Sequence, residues 1–155
     1  MTDQGIGASP ARVGGLDRVT GRQAYVADIR LEDALHAKLV GLDCARARIV
    51  AVNMSAALAV PGVRLVMSAA DLPQPMPRFG PQWQDRPVLA VSETHYQGEP
   101  VAAIAAETLD AAEEAARLVR IDYEELPAVF TIAGALDADA PLVQDPSLRP
   151  GDPLA

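Results

Sequence analysis

The chain has 155 residues, half of them hydrophobic, and a formal net charge of −8. That length suits one domain with a real core, and the acidic balance, with scattered basic residues that are nearly all Arg, excludes a nucleic-acid surface. No apolar run approaches the ~18 residues needed to span a bilayer, and the first ten residues lack the basic-then-apolar order of a signal peptide, so a soluble cytoplasmic chain without a membrane partner is expected.

In chain order, residues 1–14 are Gly-rich with few large apolar groups and read as a flexible or surface-laid arm. Residues 15–145 hold the folded elements. The run Gln23-Ala24-Tyr25-Val26-Ala27 predicts a first short strand, ending at Asp28. Residues 34–41 predict a strand entering a core, and the period-two pattern of residues 47–53 predicts a half-buried one. Ser55 suits the N-cap of a short helix over 56–60, which Pro61-Gly62 stops, and residues 63–67 predict another strand. Ser68 is placed to cap a helical turn through Asp71. Five prolines between residues 71 and 87 predict a long irregular loop, and such loops inside a compact domain often carry function. A further short strand is expected before Gln97-Gly98.

The clearest unit follows: a tight turn at residues 96–99, a buried strand through Ala106, a helix over 108–118, and a strand over 119–124. Thr108 can cap the helix, Asp110 complements its dipole, and Leu109, Ala112, Ala116 and Val119 recur at helical spacing on one face. Glu113 and Arg117 are placed to pair on the wet face. Gly98 fits a turn that needs a positive φ. Residues 146–155 form a Pro-rich tail or linker that can neither continue a helix nor enter a sheet. The pattern is that of an α+β fold: a mixed sheet with a few short helices packed on it.

Residue types that perform chemistry are scarce. One cysteine, Cys44, excludes an internal disulfide and a self-contained iron–sulfur or thiolate zinc site. With no His near it in sequence, it reads as a small buried or half-buried side chain in preference to a reactive nucleophile. His36 and His95 read as structural or surface residues, and the acidic positions Asp122, Glu124 and Glu125 as a solvated strand face. Gly5-Ile6-Gly7 and Gly14-Gly15 neither follow a strand nor open a helix in this reading, which argues against a phosphate loop. No catalytic, cofactor-binding or metal-binding residue is therefore assigned. Phe79 and Trp83 are rare aromatics in the Pro-rich loop and suit a partner surface; the competing reading is that the loop folds back and Trp83 completes its own core.

Several ordered segments resemble one known family. Residues 19–28 resemble its opening "tG.a.Y..D", Leu35-His36-Ala37 its "LhA", and Ala45-Arg46-Ala47-Arg48-Ile49 its "AHARI". Pro61-Gly62-Val63 and Ala70-Asp71-Leu72-Pro73 match "PGV" and "a.DiP"; Gly98-Glu99-Pro100-Val101-Ala102, preceded by Gln97, resembles "GQPVA"; residues 122–128 match "dYE.LPav". Together, over about residues 13–143, they resemble the α/β-hammerhead domain of the molybdenum-binding subunit in the xanthine dehydrogenase, aldehyde oxidase and carbon monoxide dehydrogenase family. Three departures stand out: Leu42-Asp43 replaces the usual "SP", Arg46 replaces His, and Glu99 replaces Gln. Residues 97–99 join Phe79 and Trp83 as candidate partner-interface positions: Gln97, Gly98 and Glu99.

The resemblance implies an α/β-hammerhead that frames a catalytic centre carried elsewhere. Molybdopterin-molybdenum, a [2Fe-2S] centre and FAD are expected in partner chains or missing domains, with none in this chain, which stops where the cofactor-binding part would begin. The expected partners are a molybdopterin-binding domain or subunit and, beyond it, iron–sulfur and FAD subunits. The implied function is a non-catalytic N-terminal domain or split subunit of a molybdopterin-dependent hydroxylase or dehydrogenase, inactive as an isolated chain. The alternative is an independent binding or scaffold module that reuses the fold.

Overall fold

The computed structural model describes residues 7, 9–81 and 84–143. The chain divides after Ala34 into two compact units.

The first unit contains helix α1 (Gly15–Val19) and a 3-10 turn over Val26–Asp28. Gly14-Gly15 thus does open a helix, contrary to the sequence reading, but one of only 5 residues. The strand expected at residues 23–27 does not form. The Asp28 carboxylate accepts the Tyr25 N–H at 2.9 Å, and the Asp28 N–H reaches the Tyr25 carbonyl at 2.9 Å. This local bonding curls the backbone and competes with a ladder. None of the described residues of this unit is buried.

The second unit carries strands β1 (His36–Gly41) and β2 (Ala47–Asn53), helix α2 (Ser55–Leu58), and β3 (Val63–Ser68). Then come β4 (Arg78–Phe79), β5 (Arg86–Pro87), β6 (Glu93–Thr94) and β7 (Pro100–Ala106). Helix α3 (Leu109–Leu118), β8 (Arg120–Glu125) and α4 (Ile132–Ala135) complete it. Strand order is β1-β7-β3 in one sheet, β6-β2-β8 in a second and β4-β5 in a ladder. The α+β class agrees with the sequence reading. The strand directions differ from the mixed sheet expected, because every pair among the described residues is antiparallel. The reason lies in the β7–α3–β8 unit: its second strand pairs with β2 instead of joining β7 in one sheet. No parallel crossover forms, and the helix links two sheets.

Helix α3 lies on the β1-β7-β3 sheet. Its small residues Ala112 and Ala115 are fully buried against Ala102, Ile104 and Ala106 of β7, Val66 of β3, and Ala57 and Val60 around α2. Alanines on both sides let helix and sheet approach closely. The Thr108 hydroxyl accepts the Ala111 N–H at 3.1 Å, as a cap should. Leu109, expected on the buried face, is instead 49% exposed. The face centres on Ala112, Ala115 and Val119, and the helical rotation puts Leu109 at its margin. Glu113 pairs with Arg117 at 3.6 Å and with Lys38 of β1 at 3.1 Å.

Other local differences have local causes. Helix α2 begins at Ser55 and is not capped by it: the Ser55 N–H is taken by the Asn53 side chain at 3.1 Å. Ser68 does cap the turn over Ala69–Asp71, and the Asp71 carboxylate returns a bond to the Ser68 N–H at 2.8 Å. The Pro-rich stretch over 71–87 is not wholly irregular. Arg78 and Phe79 pair with Pro87 and Arg86, and the Arg78 guanidinium donates to the Asp85 carbonyl at 2.8 Å. Proline is tolerated there because a two-residue ladder leaves an edge on each side.

Candidate functional site

The turn expected before β7 is the structural knot of the second unit. Gly98 has φ +79°, in the left-handed region, and its N–H donates to the Leu42 carbonyl at 2.9 Å. The Glu99 N–H closes the turn on the Tyr96 carbonyl at 3.2 Å. Just beyond, the Ala90 N–H donates to the Pro100 carbonyl at 2.7 Å, which fixes the β6 approach against the start of β7. The end of β1 meets the same backbone at Gly41, where the ladder shifts register.

Glu99 is buried, although it is a carboxylate. Its side chain accepts the His95 backbone N–H at 2.5 Å and stands 3.3 Å from the His95 ring. A buried carboxylate needs such donors, because desolvation penalises the charged form. One side of Glu99 opens onto a cleft of about 660 Å³ between the β4-β5 ladder and the 88–100 segment. Phe79, Tyr96, His95, Arg78 and Arg86 also line it. Phe79 and Tyr96 are about half exposed. The cleft therefore offers aromatic faces, two guanidinium groups and the carboxylates of Asp85, Glu93 and Glu99, which suits a polar and aromatic contact with another polypeptide or a small molecule.

The structure brings only part of the expected interface set together. Phe79 and Glu99 share the cleft. Gln97 is exposed and points elsewhere, its amide bonded to the Asp43 carboxylate. Gly98 acts through its backbone, and Trp83 lies outside the described residues. His95, Tyr96, Arg78 and Arg86 were not singled out for this surface from sequence. They come from segments 78–86 and 95–96, which only the folded ladder and turn bring to one wall, so no linear spacing marks them.

Two of the family departures have structural consequences. Arg46 reaches Glu93 of β6 at 2.9 Å and the Pro127 carbonyl after β8 at 3.4 Å, tying both edge strands of the second sheet to its centre. Asp43 holds Gln97. Cys44, beside Asp43, is half-buried and packs at the edge of the core cluster of Leu42, Ala47, Ala90 and Val101. Burial, then the carboxylates of Glu125 and Asp43, push its thiol above the ordinary value. The thiolate is the disfavoured form in the fold, so the thiol's contribution to stability is complete below the unfolded thiol's pKa. It is lost as pH rises through the folded one. Alkylation by iodoacetamide should accordingly be slower than for a free thiol such as glutathione at mildly alkaline pH, and should match it once the chain is denatured. Equal native and denatured rates would overturn this placement of Cys44.

The donor inventory is thin elsewhere. Among the described residues no group of three or more His, Cys, Asp and Glu is placed to hold a metal ion. No helix among them is long and apolar enough to cross a membrane. Asp122 and Glu124 are exposed on β8, and Glu124 pairs with Arg48 at 2.8 Å. His36 is exposed on β1.

Comparison with known proteins places this architecture. The family described as aldehyde oxidase and xanthine dehydrogenase, a/b hammerhead domain, matches residues 20–127. The large molybdopterin subunit of nicotinate dehydrogenase from Eubacterium barkeri is 34% identical over 140 residues, 90% of this chain and 33% of that subunit. Xanthine dehydrogenase from Drosophila pseudoobscura pseudoobscura is 38% identical over 134 residues, 85% of this chain and 10% of that protein. Among solved structures, quinoline 2-oxidoreductase from Pseudomonas putida 86 superposes with a TM-score of 0.78 at 37% identity, over 87% of this chain and 18% of that one. Reconstituted CO dehydrogenase from Oligotropha carboxidovorans gives 0.78 at 36% identity, over 90% and 18%. This chain thus spans a third or less of the length of the relatives it matches.

Proposed function

The chain belongs to the a/b hammerhead domain family of aldehyde oxidase and xanthine dehydrogenase, and on that premise we propose that it frames the molybdenum centre of a hydroxylase or dehydrogenase without carrying that centre. The observation behind this is the paired coverage: nearly all of this chain aligns with about 10–33% of each relative. A domain's worth of a molybdenum hydroxylase is present, and the alternative of an independent scaffold is not favoured.

The chemistry of this chain's own residues supports the division of labour. A [2Fe-2S] cluster held by Cys thiolates takes four of them, and the sequence has one cysteine. Among the described residues, the N-terminus of α3 already has an orphan N–H bonded to Thr108, the Gly98 turn leads into a strand, and the helix that Gly14-Gly15 opens has only 5 residues and follows no strand, so none of them forms the strand–glycine loop–helix cradle for a pyrophosphate. Molybdopterin, the iron–sulfur centre and FAD are thus assigned to accompanying polypeptide. When bound there, the molybdenum centre would supply oxygen-transfer chemistry at an aldehyde or heterocycle carbon. This chain's part is positional: α3 packs on the β1-β7-β3 sheet and leads into β8 of the second. The cleft residues Phe79 and Glu99, with Gln97, Gly98 and Trp83 nearby in sequence, offer contacts to the molybdopterin-bearing part. A cytoplasmic location and the domain limits 15–145 belong to the same reading, with 1–14 as an arm and 146–155 as a linker.

Glu99 gives this reading a specific edge. Where the family pattern carries a neutral amide, this chain presents a carboxylate at the cleft wall, so the facing group on the partner should be a hydrogen-bond donor.

The test compares the chain alone with the chain produced together with the molybdopterin-bearing polypeptide encoded with it. Metal analysis and absorption spectroscopy should find neither molybdenum nor flavin in the chain alone, and molybdenum in the joint preparation with the chain retained. Stoichiometric molybdenum in the isolated chain would overturn the proposal, as would a joint preparation from which the chain separates freely.

A further inference from the structure

We propose that the face of the β1-β7-β3 sheet turned away from α3 is a docking surface for an apolar helix of the molybdopterin-bearing polypeptide. The inference rests on the functional reading above and goes beyond it by assigning a second surface, apart from the cleft.

The face is identified by register. Lys38, Ile104 and Val66 lie side by side across the three strands, and Lys38 reaches Glu113 of α3, so this row faces the helix. The alternate rows face the other way. One is Leu39, Ala103 and Met67; the next is Ala37, Ala105 and Leu65. Not one of these six side chains is charged. Leu39 is 60% exposed and Leu65 48% exposed, while Ala103 and Ala105 are only half-buried.

An antiparallel sheet with one wet face places its apolar residues inside and its polar residues outside. Here β1 follows that rule only at Val40, which packs on the helix-side core, and departs from it at the preceding positions. Its polar residues His36 and Lys38 lie on the helix side, and Ala37 and Leu39 lie on the outer side. In β7 every position from Pro100 to Ala106 is apolar, the pattern of a strand covered on both faces. The cover is present at the Val101 end, where Leu42, Ala47 and Ala90 pack on it. Within the unit that begins at Leu35, Ala103 and Ala105 are only half-buried, and neither core cluster of its described residues includes them.

Shape and chain length select the occupant. The two alanines of β7 make a low floor, and Leu39 on β1 with Leu65 and Met67 on β3 make its walls. Such a trough receives a helix ridge, and helix on sheet is a standard way to bury an apolar sheet face. The curated relatives provide the material. In each, the polypeptide beyond the matched segment is at least about twice as long as that segment, since the segment covers 33% or less.

The experiment uses the protein as produced with its molybdopterin-bearing portion. With Leu39 replaced by the photo-cross-linker p-benzoylphenylalanine, irradiation should join position 39 to that portion, identified by peptide mass spectrometry. In parallel, Leu39→Glu with Leu65→Glu should weaken association at least about a hundredfold, the loss typical of two central contacts. Leu58→Glu, on an exposed residue of α2, should leave it unchanged. Circular dichroism melts confirm that the variants fold, and the cross-link stands whether or not they do. Wild-type association with unaltered binding by the double variant and no cross-link at position 39 overturns the inference while the functional reading stands. No association of the wild-type chain at all overturns both. A cross-link between two copies of this chain, with a dimer that the double variant abolishes, assigns the face to self-association and overturns the proposal.

Discussion

Ile104→Ala is expected to lower stability by about 2–5 kcal/mol. Among the described residues Ile104 is the largest fully buried side chain, at 2% exposure, and it lies in β7, the central strand of its sheet. Strands β1 and β3 flank it through Lys38 and Val66, and its side chain belongs to the cluster roofed by Ala112 and Ala115 of α3. Truncation removes three carbons from a site whose neighbours are mostly alanines. Alanine has no rotamer with which to fill the gap, so the residual cavity should persist and the cost should fall in the upper half of that range. A chemical-denaturation titration measures it. A change of about 0.5 kcal/mol or less would mean that α3 does not sit on this strand.

Gly41→Ala should also be damaging, for the opposite reason. A Cβ at residue 41 would stand 2.7 Å from the Glu99 carbonyl oxygen and 2.7 Å from the Gly98 carbonyl carbon. Both are backbone atoms in a turn held by the Gly98 bond to Leu42, so they cannot rotate away as a side chain would. Relief requires β1 and the turn to separate, which opens that bond and the buried Glu99–His95 contact. Overpacking of this kind costs about 1–3 kcal/mol. The expected signature is a lower melting temperature together with faster amide exchange at Gly98 and Glu99. Wild-type stability in this variant would mean that β1 and the turn are not in contact.

Both predictions depend on how far the sequence could be read. Elements with a strong local signal came out near their limits: β1, β2, β3, β7, α3 and β8 all appear where alternation or helical spacing put them. The Thr108 cap and the Ser68 turn follow from side chains that bond within three residues, so short-range chemistry is enough to specify them. The resemblance in ordered short motifs also found the family, because those motifs lie at turns and strand ends where few residue types fit. The readings that failed were those where local preference had a local competitor. Asp28 drew Tyr25 into a turn, and Asn53 took the bond that Ser55 was expected to organise.

The sequence by itself determined a single-cysteine α+β chain of the hammerhead family, poor in catalytic side chains, with its strongest packing unit at residues 100–125. These properties follow from composition, periodicity and short-range bonding. Only the tertiary structure decided which strands pair. Nothing in residues 100–125 states that β7 joins β1 and β3 while β8 crosses to β2, because pairing is chosen by the sum of contacts across the whole unit. Nor could spacing reveal that Phe79, Tyr96 and Glu99 share a cleft, or that Leu39 and Leu65 share an uncovered face. Alternation shows that two faces exist and leaves open which one a helix will occupy. That choice is made when α3 settles its alanines on one side and draws Lys38 to Glu113, which leaves the leucines on the other.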